Sequence, residues 1–521
     1  MRRALTALPS TSNAISGPIT VPAPVGGWNA RDSLAAMPIT DAERLINWFP
    51  EATSVNSRPG SETTFTGLVS QAETLMAYAG TTTLELFVAA GANIYDATVA
   101  EGASASASAG LLMMSARSSA RWQYENFATP GGNFMICVNG AERPVYYNGT
   151  NFSAMTTLTA SGGLADNLID VHSYAERLFY LEKDTLNFWY MESVETILGT
   201  ARKFPLGSVF NKGGVCIAHG SWTRDGGSGM DDAYFVASDQ GEIIVYTGTD
   251  PGDANSWSKL GLFNIPKPLG RRCVQKFGGD ALILTEGGVL SLSQVLSGIE
   301  PQSLLTDKIR TAVSDAVRLY RANYAWQLLY YPLGHWLIIN VPIKEGSRQE
   351  QYVMNTNTGA WCRFKGLTAN CWEVFGNSLY FGASGKVIQA DTGTNDDGEN
   401  VDVDAKQAPS NFGYAGFKSF LSIYPFINSD NGVPVAIGLN IDFNDRSPVS
   451  TPSPVVTTLP YWGDATWSSP SYFWAGKAVP QGSLQSGGGS GVYAAMRLKG
   501  AVNVDRLQWM ATQITFERGG P

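Results

Sequence analysis

Seven short stretches of this chain repeat one pattern: an apolar run, a turn of small or polar residues, and a second apolar run. They centre on Gly91 (LFVAAGANIYDAT), Gly140 (FMICVNGAERPVYYNGT), Asp184 (LFYLEKDTLNFWYM), Gly241 (YFVASDQGEIIVYTGT), Gly287 (ALILTEGGVLSLSQ), Gly334 (LLYYPLGHWLIINV) and Gly385 (LYFGASGKVIQADTG). Each reads as a β-hairpin with one buried face. Successive centres lie 44 to 57 residues apart, a single period loosely kept. One such hairpin cannot cover its own apolar surface, whereas a closed ring of them covers all of it and leaves only short edges. A period of about 40–50 residues with several strands per unit is the signature of a β-propeller. The expected fold is therefore mainly β, with a propeller of six to eight blades over residues 71–400 and few short helices.

The repeat stops near residue 400. Beyond it, AIGLNIDF and DRLQWMATQITFE alternate like half-buried strands, so 401–521 is expected to form an additional C-terminal β-rich, sandwich-like domain. Within it, residues 444–491 are rich in Pro, Ser, Gly and Trp and read as one long loop. Its Trp462, Trp467 and Trp474 suit either partner contacts or a small satellite core. Upstream, residues 1–27 read as a flexible arm and 28–70 as a segment leading into the propeller. The apolar ALTAL stretch is shorter than the roughly 7–15 residues of a secretory core. The best helix pattern starts at Thr306, a candidate cap, with Ile309, Val313, Val317 and Tyr320 on one face; it predicts a helical insertion over 306–322. A shorter candidate is DAERLIN at 41–47.

Charged residues make up only 16 % of the chain and its net charge is −9, with no lysine-arginine block. Clustered cations are what hold phosphates, so a sequence-reading DNA-binding protein is disfavoured. A neutral, aromatic surface suits contacts with other subunits. Five cysteines at irregular spacing read as reduced, mostly buried thiols of a protein made in a cytoplasm.

No pattern of residues announces catalysis. The three histidines, His172, His219 and His335, stand outside any nucleophile motif and read as structural. Cys362 and Cys371 have no histidine near them in sequence, so zinc is not expected. The acidic run 391–404 fails the EF-hand pattern, because Gly393 falls at the first ligand position, and reads as a solvated linker. No phosphate-cradling or dinucleotide glycine motif is present. The expectation is no enzyme, no cofactor and no metal.

The most specific stretch is GGWNARDSLAAMPITDAERLINWFPEATSVNSRPG, residues 26–60. It resembles the opening of the tail nozzle or tail hub proteins of short-tailed bacteriophages, including packaged-DNA stabilisation proteins and tail tubular protein B. The matching residues are Gly26 and Gly27, the acidic and polar segment Asp41 to Arg44, Asn47 with Trp48, and Arg58 leading to Gly60. RWQYENFATPGGNFMICVNGAERPVYYNGT (121–150) and MNTNTGAWCRF (354–364) are similar to propeller strands of the same family. The resemblance implies a virion structural protein forming a homohexameric ring at the end of a short tail. It would close the tail channel, retain packaged double-stranded DNA and conduct it on ejection. Implied partners are a tail adaptor or tube protein, tail fibre or needle proteins, and host envelope. Alternatives are a propeller enzyme that cleaves surface glycans, and a receptor-binding module using the Trp-rich loop.

Overall fold

The computed structural model describes residues 17–100, 102–156, 158–160, 166–223, 232–296, 304–429, 433–448, 480–481, 484–504 and 507–519. The chain divides into two compact units. One comprises Gly60–Gly359 and Phe364–Thr392; the other comprises the described parts of Met1–Pro59, Ala360–Arg363 and Gly393–Pro521.

The first unit is a seven-bladed propeller. Blade 1 consists of Ala72–Ala79, Leu84–Ala90, Asn93–Asp96 and Leu112–Met114. Blade 2 is Gln123–Thr129, Gly132–Val138, Val145–Tyr147 and Phe152–Ala154, and blade 3 is Leu168–Tyr174, Arg177–Glu182, Asn187–Met191 and Gly199–Pro205. Blade 4 is Cys216–Thr223, Asp232–Ser238, Glu242–Gly248 and Trp257–Asn264. Blade 5 has Val274–Phe277, Asp280–Thr285 and Gly288–Ser291; blade 6 contains Gln327–Tyr331, Trp336–Lys344 and Arg348–Asn355. Blade 7 is Cys371–Phe375, Ser378–Ala383 and Lys386–Ala390, completed by Ser61–Thr66 from the start of the unit. The first strand of each blade touches the first strand of the next, and that of blade 7 touches that of blade 1, closing the ring. The clasp is antiparallel, Ser61 opposite Ala390 and Phe65 opposite Val387.

Burial explains the recurrence of the hairpins, with one change to the expectation. Both faces of the blades are covered, not one. In Arg177–Glu182, Leu178 and Tyr180 pack with Ile136 and Val138 of blade 2, while Phe179 and Leu181 pack with Tyr234 and Ile244 of blade 4. Alternate residues thus serve opposite neighbours, and the strand reads as a continuous apolar run instead of an alternation. Polar clips join the blades near the axis: Thr74 Oγ1 donates to the Ala120 carbonyl (2.7 Å), and the Gln327 side chain exchanges two hydrogen bonds with the backbone of Trp372 (2.9 Å each).

Six of the seven hairpin centres fall between the second and third strands of blades 1–5 and 7. Gly334 instead joins the first and second strands of blade 6, whose next turn is at Gly346, φ +76°. The insertion begins as a 3₁₀ turn, Asp307–Ile309, and continues as the helix Arg310–Tyr320 with Ile309, Val313 and Val317 buried. Thr306 does not cap it; its Oγ1 accepts the Val289 N–H at 3.2 Å.

The second unit holds two sheets and corrects three boundaries. In one sheet Lys418–Ser429 pairs with Leu507–Arg518 along almost its whole length, and Ile19–Pro22 pairs with the other edge of Leu507–Arg518. Of the arm expected over 1–27, Ile19–Pro22 is a strand with Val21 buried, and residues 1–16 lie outside the described residues. In the other sheet Asp41–Ile46 lies antiparallel to Val401–Gln407, which pairs with Ala494–Val502, itself paired with Val435–Ile441. DAERLIN is a strand, not a helix: pairing with residues some 360 positions away overrides a weak local pattern. Residues up to Pro59 belong with this unit, and the propeller runs from Gly60 to Thr392 instead of 71–400. Part of the expected 444–491 loop, Gln485–Gly491, is a strand on Lys418–Ser429. Trp462, Trp467 and Trp474 lie outside the described residues.

Candidate functional site

Two assemblies stand out, one in each unit. In the second unit the residues carrying the tail-protein resemblance, Gly60 apart, are held by local packing and hydrogen bonds. A Cβ on Gly26 would stand 2.1 Å from Asp41 Oδ1, and one on Gly27, at φ +82°, would stand 2.6 Å from the Trp361 carbonyl oxygen. Gly27 admits no side chain without movement of the backbone, whereas at Gly26 the Asp41 carboxylate would have to shift. Asn47 is left-handed (φ 56°) and donates from Nδ2 to the Asp402 carbonyl at 2.6 Å. Its Oδ1 accepts Arg58 Nε at 3.0 Å, and its carbonyl accepts the Arg58 N–H at 3.0 Å. Arg58, buried, then forks onto Asp396 through Nη1 (2.9 Å) and Nη2 (2.5 Å). Trp48 is fully buried and meets the Trp509 ring edge-on, centroids 6.5 Å apart. Gly60 opens the propeller unit, where its carbonyl accepts the Thr392 N–H at 3.2 Å.

In the acidic run 391–404, Asp396 and Asp404 are paired with cations, whereas Asp397, Glu399 and Asp402 are exposed. Asp396 is held by Arg58, and Asp404 accepts from Arg497 Nη2 (2.8 Å) and Arg44 Nη1 (3.2 Å). Asp445 joins both arginines. Burial pushes its carboxyl up, but the bond from Arg44 and the charges of Arg44, Lys406 and Arg497 hold it below the usual range.

In the propeller unit the inner strands of all seven blades enclose a polar channel with a cavity of about 600 Å³. Thr74, Glu125, His172, Ser221, Lys276, Gln327 and Glu373 come one from each blade in turn. His172 Nε2 is 2.8 Å from Ser221 Oγ, and His172 Nδ1 is 3.8 Å from Glu125 Oε1. The same Glu125 oxygen accepts from Ser173 Oγ (2.5 Å) and from the Ser173 N–H (3.1 Å), which fixes the carboxylate. Behind them, His219 Nδ1 is 2.8 Å from the Tyr234 hydroxyl and its Nε2 is 3.8 Å from Asp170 Oδ2.

Burial sets the protonation of this channel. It lowers His172, against the pull of Glu125, and drives His219 well below the ordinary histidine range, helped by His172. Both rings are neutral at pH 7. Burial also pushes Asp170 up to about 8, against the Val171 N–H and Arg271, and Glu373 up to about 7, against a hydrogen bond with Tyr124. The channel thus holds a neutral imidazole against a serine hydroxyl, together with carboxyls that keep protons near neutrality. That is the equipment of proton transfer.

Reading the sequence for motifs missed this grouping, although a signal for it exists. Glu125, His172 and Ser221 are spaced 47 and 49 residues apart, one blade period each, so all three occupy matching positions on the inner strands of blades 2, 3 and 4. The third histidine, His335, sits in the Gly334 turn at φ 55° and does not join them.

Neither a family model nor a curated protein matches the chain. Among solved structures, it is similar to the computationally designed Ika8 protein, with 11 % identity, TM-score 0.34, and coverage of 63 % of this chain and 99 % of that one. It is likewise similar to Saccharomyces cerevisiae Sqt1, with 8 % identity, TM-score 0.37, and coverage of 66 % and 96 %.

Proposed function

We propose that this chain is a virion structural protein of the tail nozzle or hub type. It assembles as a homohexameric ring at the end of a short phage tail, closes the channel, retains packaged DNA and conducts it on ejection. Its partners are further copies of itself, a tail adaptor or tube protein, and fibre or needle proteins. The supporting observation is that the residues of the resemblance are structurally engaged: Asn47 and Arg58 bind each other, the Asp402 carbonyl and Asp396, and Gly27 packs where a Cβ would meet the Trp361 backbone. A stretch so constrained is a framework element, consistent with a family signature that is structural. Phe417, Leu421 and Leu484 of the same unit are exposed apolar side chains suited to subunit contacts. A net charge of −9 suits a conduit that repels phosphate and offers DNA no electrostatic trap.

The test is the native mass of the purified chain, alone and mixed with the adaptor or tube protein of the same tail. A discrete hexamer, or a ring bound to the tube, is expected. A chain that stays monomeric at micromolar concentration and leaves the tube protein unbound overturns the proposal.

A further inference from the structure

We infer that the propeller channel is a serine esterase site, with Ser221 as nucleophile, His172 as general base and Glu125 as the residue that positions His172. This rests on the propeller unit alone and is independent of the tail reading.

The geometry is that of an activated hydroxyl. A serine is a weak nucleophile until a base within hydrogen-bond reach takes its proton, and the base works when a third group fixes its tautomer. Ser221 Oγ lies 2.8 Å from His172 Nε2. On the far side of the ring, Glu125 faces Nδ1 at 3.8 Å, a separation that a small ring rotation closes, as unliganded sites commonly require. The carboxylate favours the proton on Nδ1, so Nε2 presents its lone pair to the Ser221 hydroxyl. Ser173 holds Glu125 in place from two donors. The titratable groups facing His172 are Glu125 of blade 2, His219 of blade 4 and Lys276 of blade 5; burial and Lys276 keep the ring neutral and able to accept.

Access and charge stabilisation are also in place. His172 and Glu125 each keep about a quarter of their side-chain surface exposed, toward a cavity whose size suits a small ligand. The strand Cys216–Thr223 that carries Ser221 is the last in its sheet and pairs on one edge only. Alternate backbone N–H groups on its free edge therefore point away from the sheet, where they can donate to an oxyanion. Lys276 adds a positive charge to the same wall.

The substrate class is a small carboxylic ester. Ser221 Oγ bonds to the ester carbonyl carbon while its proton passes to His172 Nε2. The ester C–O bond then breaks, and the departing alcohol takes that proton. Water attacks the acyl-serine, gives a proton to His172, and releases the acid as the proton returns to Ser221. No oxidant, reductant or metal is needed for the balance.

The experiment treats the folded full-length chain with a fluorophosphonate probe and locates the adduct by peptide mass, with p-nitrophenyl acetate hydrolysis followed in parallel. Expected is modification of Ser221, abolished in Ser221→Ala and slowed at least about 100-fold in His172→Gln, with unchanged melting temperature in both. The labelling rate should be flat above the ordinary histidine range and fall below it as His172 is protonated. Glu125→Gln should move that pH profile and Glu125→Asp restore it, which a purely structural role does not produce. An unmodified Ser221 in the folded chain, or labelling that proceeds at the wild-type rate in Ser221→Ala or His172→Gln, overturns the inference.

Discussion

Arg58 donates from Nε to the side-chain oxygen of Asn47 at 3.0 Å while both of its terminal nitrogens grip Asp396. One buried guanidinium thereby ties a left-handed asparagine to a loop more than 300 residues downstream. Replacing Arg58 by alanine removes both fork bonds from a carboxylate that is only 21 % exposed and leaves the Asn47 oxygen without this donor. Breaking a buried pair from one side costs about 3–5 kcal/mol, and the partial exposure of Asp396 places this case at the lower end. Arg58→Lys keeps the charge but loses the planar fork, so it should recover only part of the loss. Differential scanning calorimetry of the three proteins checks the order; equal transition temperatures would show that the node carries no stability.

Gly27 tests the second unit through the backbone. Alanine there must adopt φ near +82° and place its Cβ 2.6 Å from the Trp361 carbonyl oxygen. The conformation alone costs about 1–3 kcal/mol, and backbone atoms cannot move aside as a flexible side chain can. Gly27→Ala is expected to lower the melting temperature by several degrees. Gly207→Ala, whose Cβ would meet nothing within 4 Å, should change stability by less than about 0.5 kcal/mol.

The cysteines give a count without mutagenesis. Cys137, Cys216, Cys273, Cys362 and Cys371 are all free and buried, and burial pushes Cys216 up to about 12 and Cys371 up to about 11. Thiolate is the reactive form, so Ellman's reagent should find almost no thiol in the native chain and five after denaturation. Rapid reaction of any native thiol would contradict the placement of that strand.

The propeller was legible because its turns are punctuated: Gly91, Gly241 and Gly385 hold φ of +60°, +81° and +74° in matching turns, and the period survives in the sequence. Asp41–Ile46 was not legible, because a six-residue strand is decided by its partner Val401–Gln407, which local pattern cannot reveal. The node was marked in sequence by Asn47 and Arg58, but its acidic partner, Asp396, read as part of a linker because a carboxylate looks solvated until its cation is located. The channel site was hidden for a related reason. Glu125, His172 and Ser221 form no local motif, and only blade-by-blade alignment of the inner strands superimposes them.

Asp170 supplies a pH signature with a definite sign. Burial raises its carboxyl to about 8 in the folded chain, from 3.8. Between those values the native state keeps a proton that the unfolded state releases, so stability falls as pH rises, by up to about 1.4 kcal/mol per pH unit, and levels off above about 8. The histidines do the opposite: His172 and His219 are lowered, so they favour the native state more as pH climbs toward 6.5. Total stability therefore mixes both slopes, and the Asp170 contribution emerges only by difference. Asp170→Asn keeps an oxygen able to accept the Val171 N–H, at 3.1 Å in the native chain, and removes the titration. Urea denaturation at pH 5, 6, 7 and 8 should show the variant gaining on the wild type at each step. Parallel curves would mean that Asp170 is ionised in the native channel and that its burial is relieved by a cation, with Arg271 the candidate.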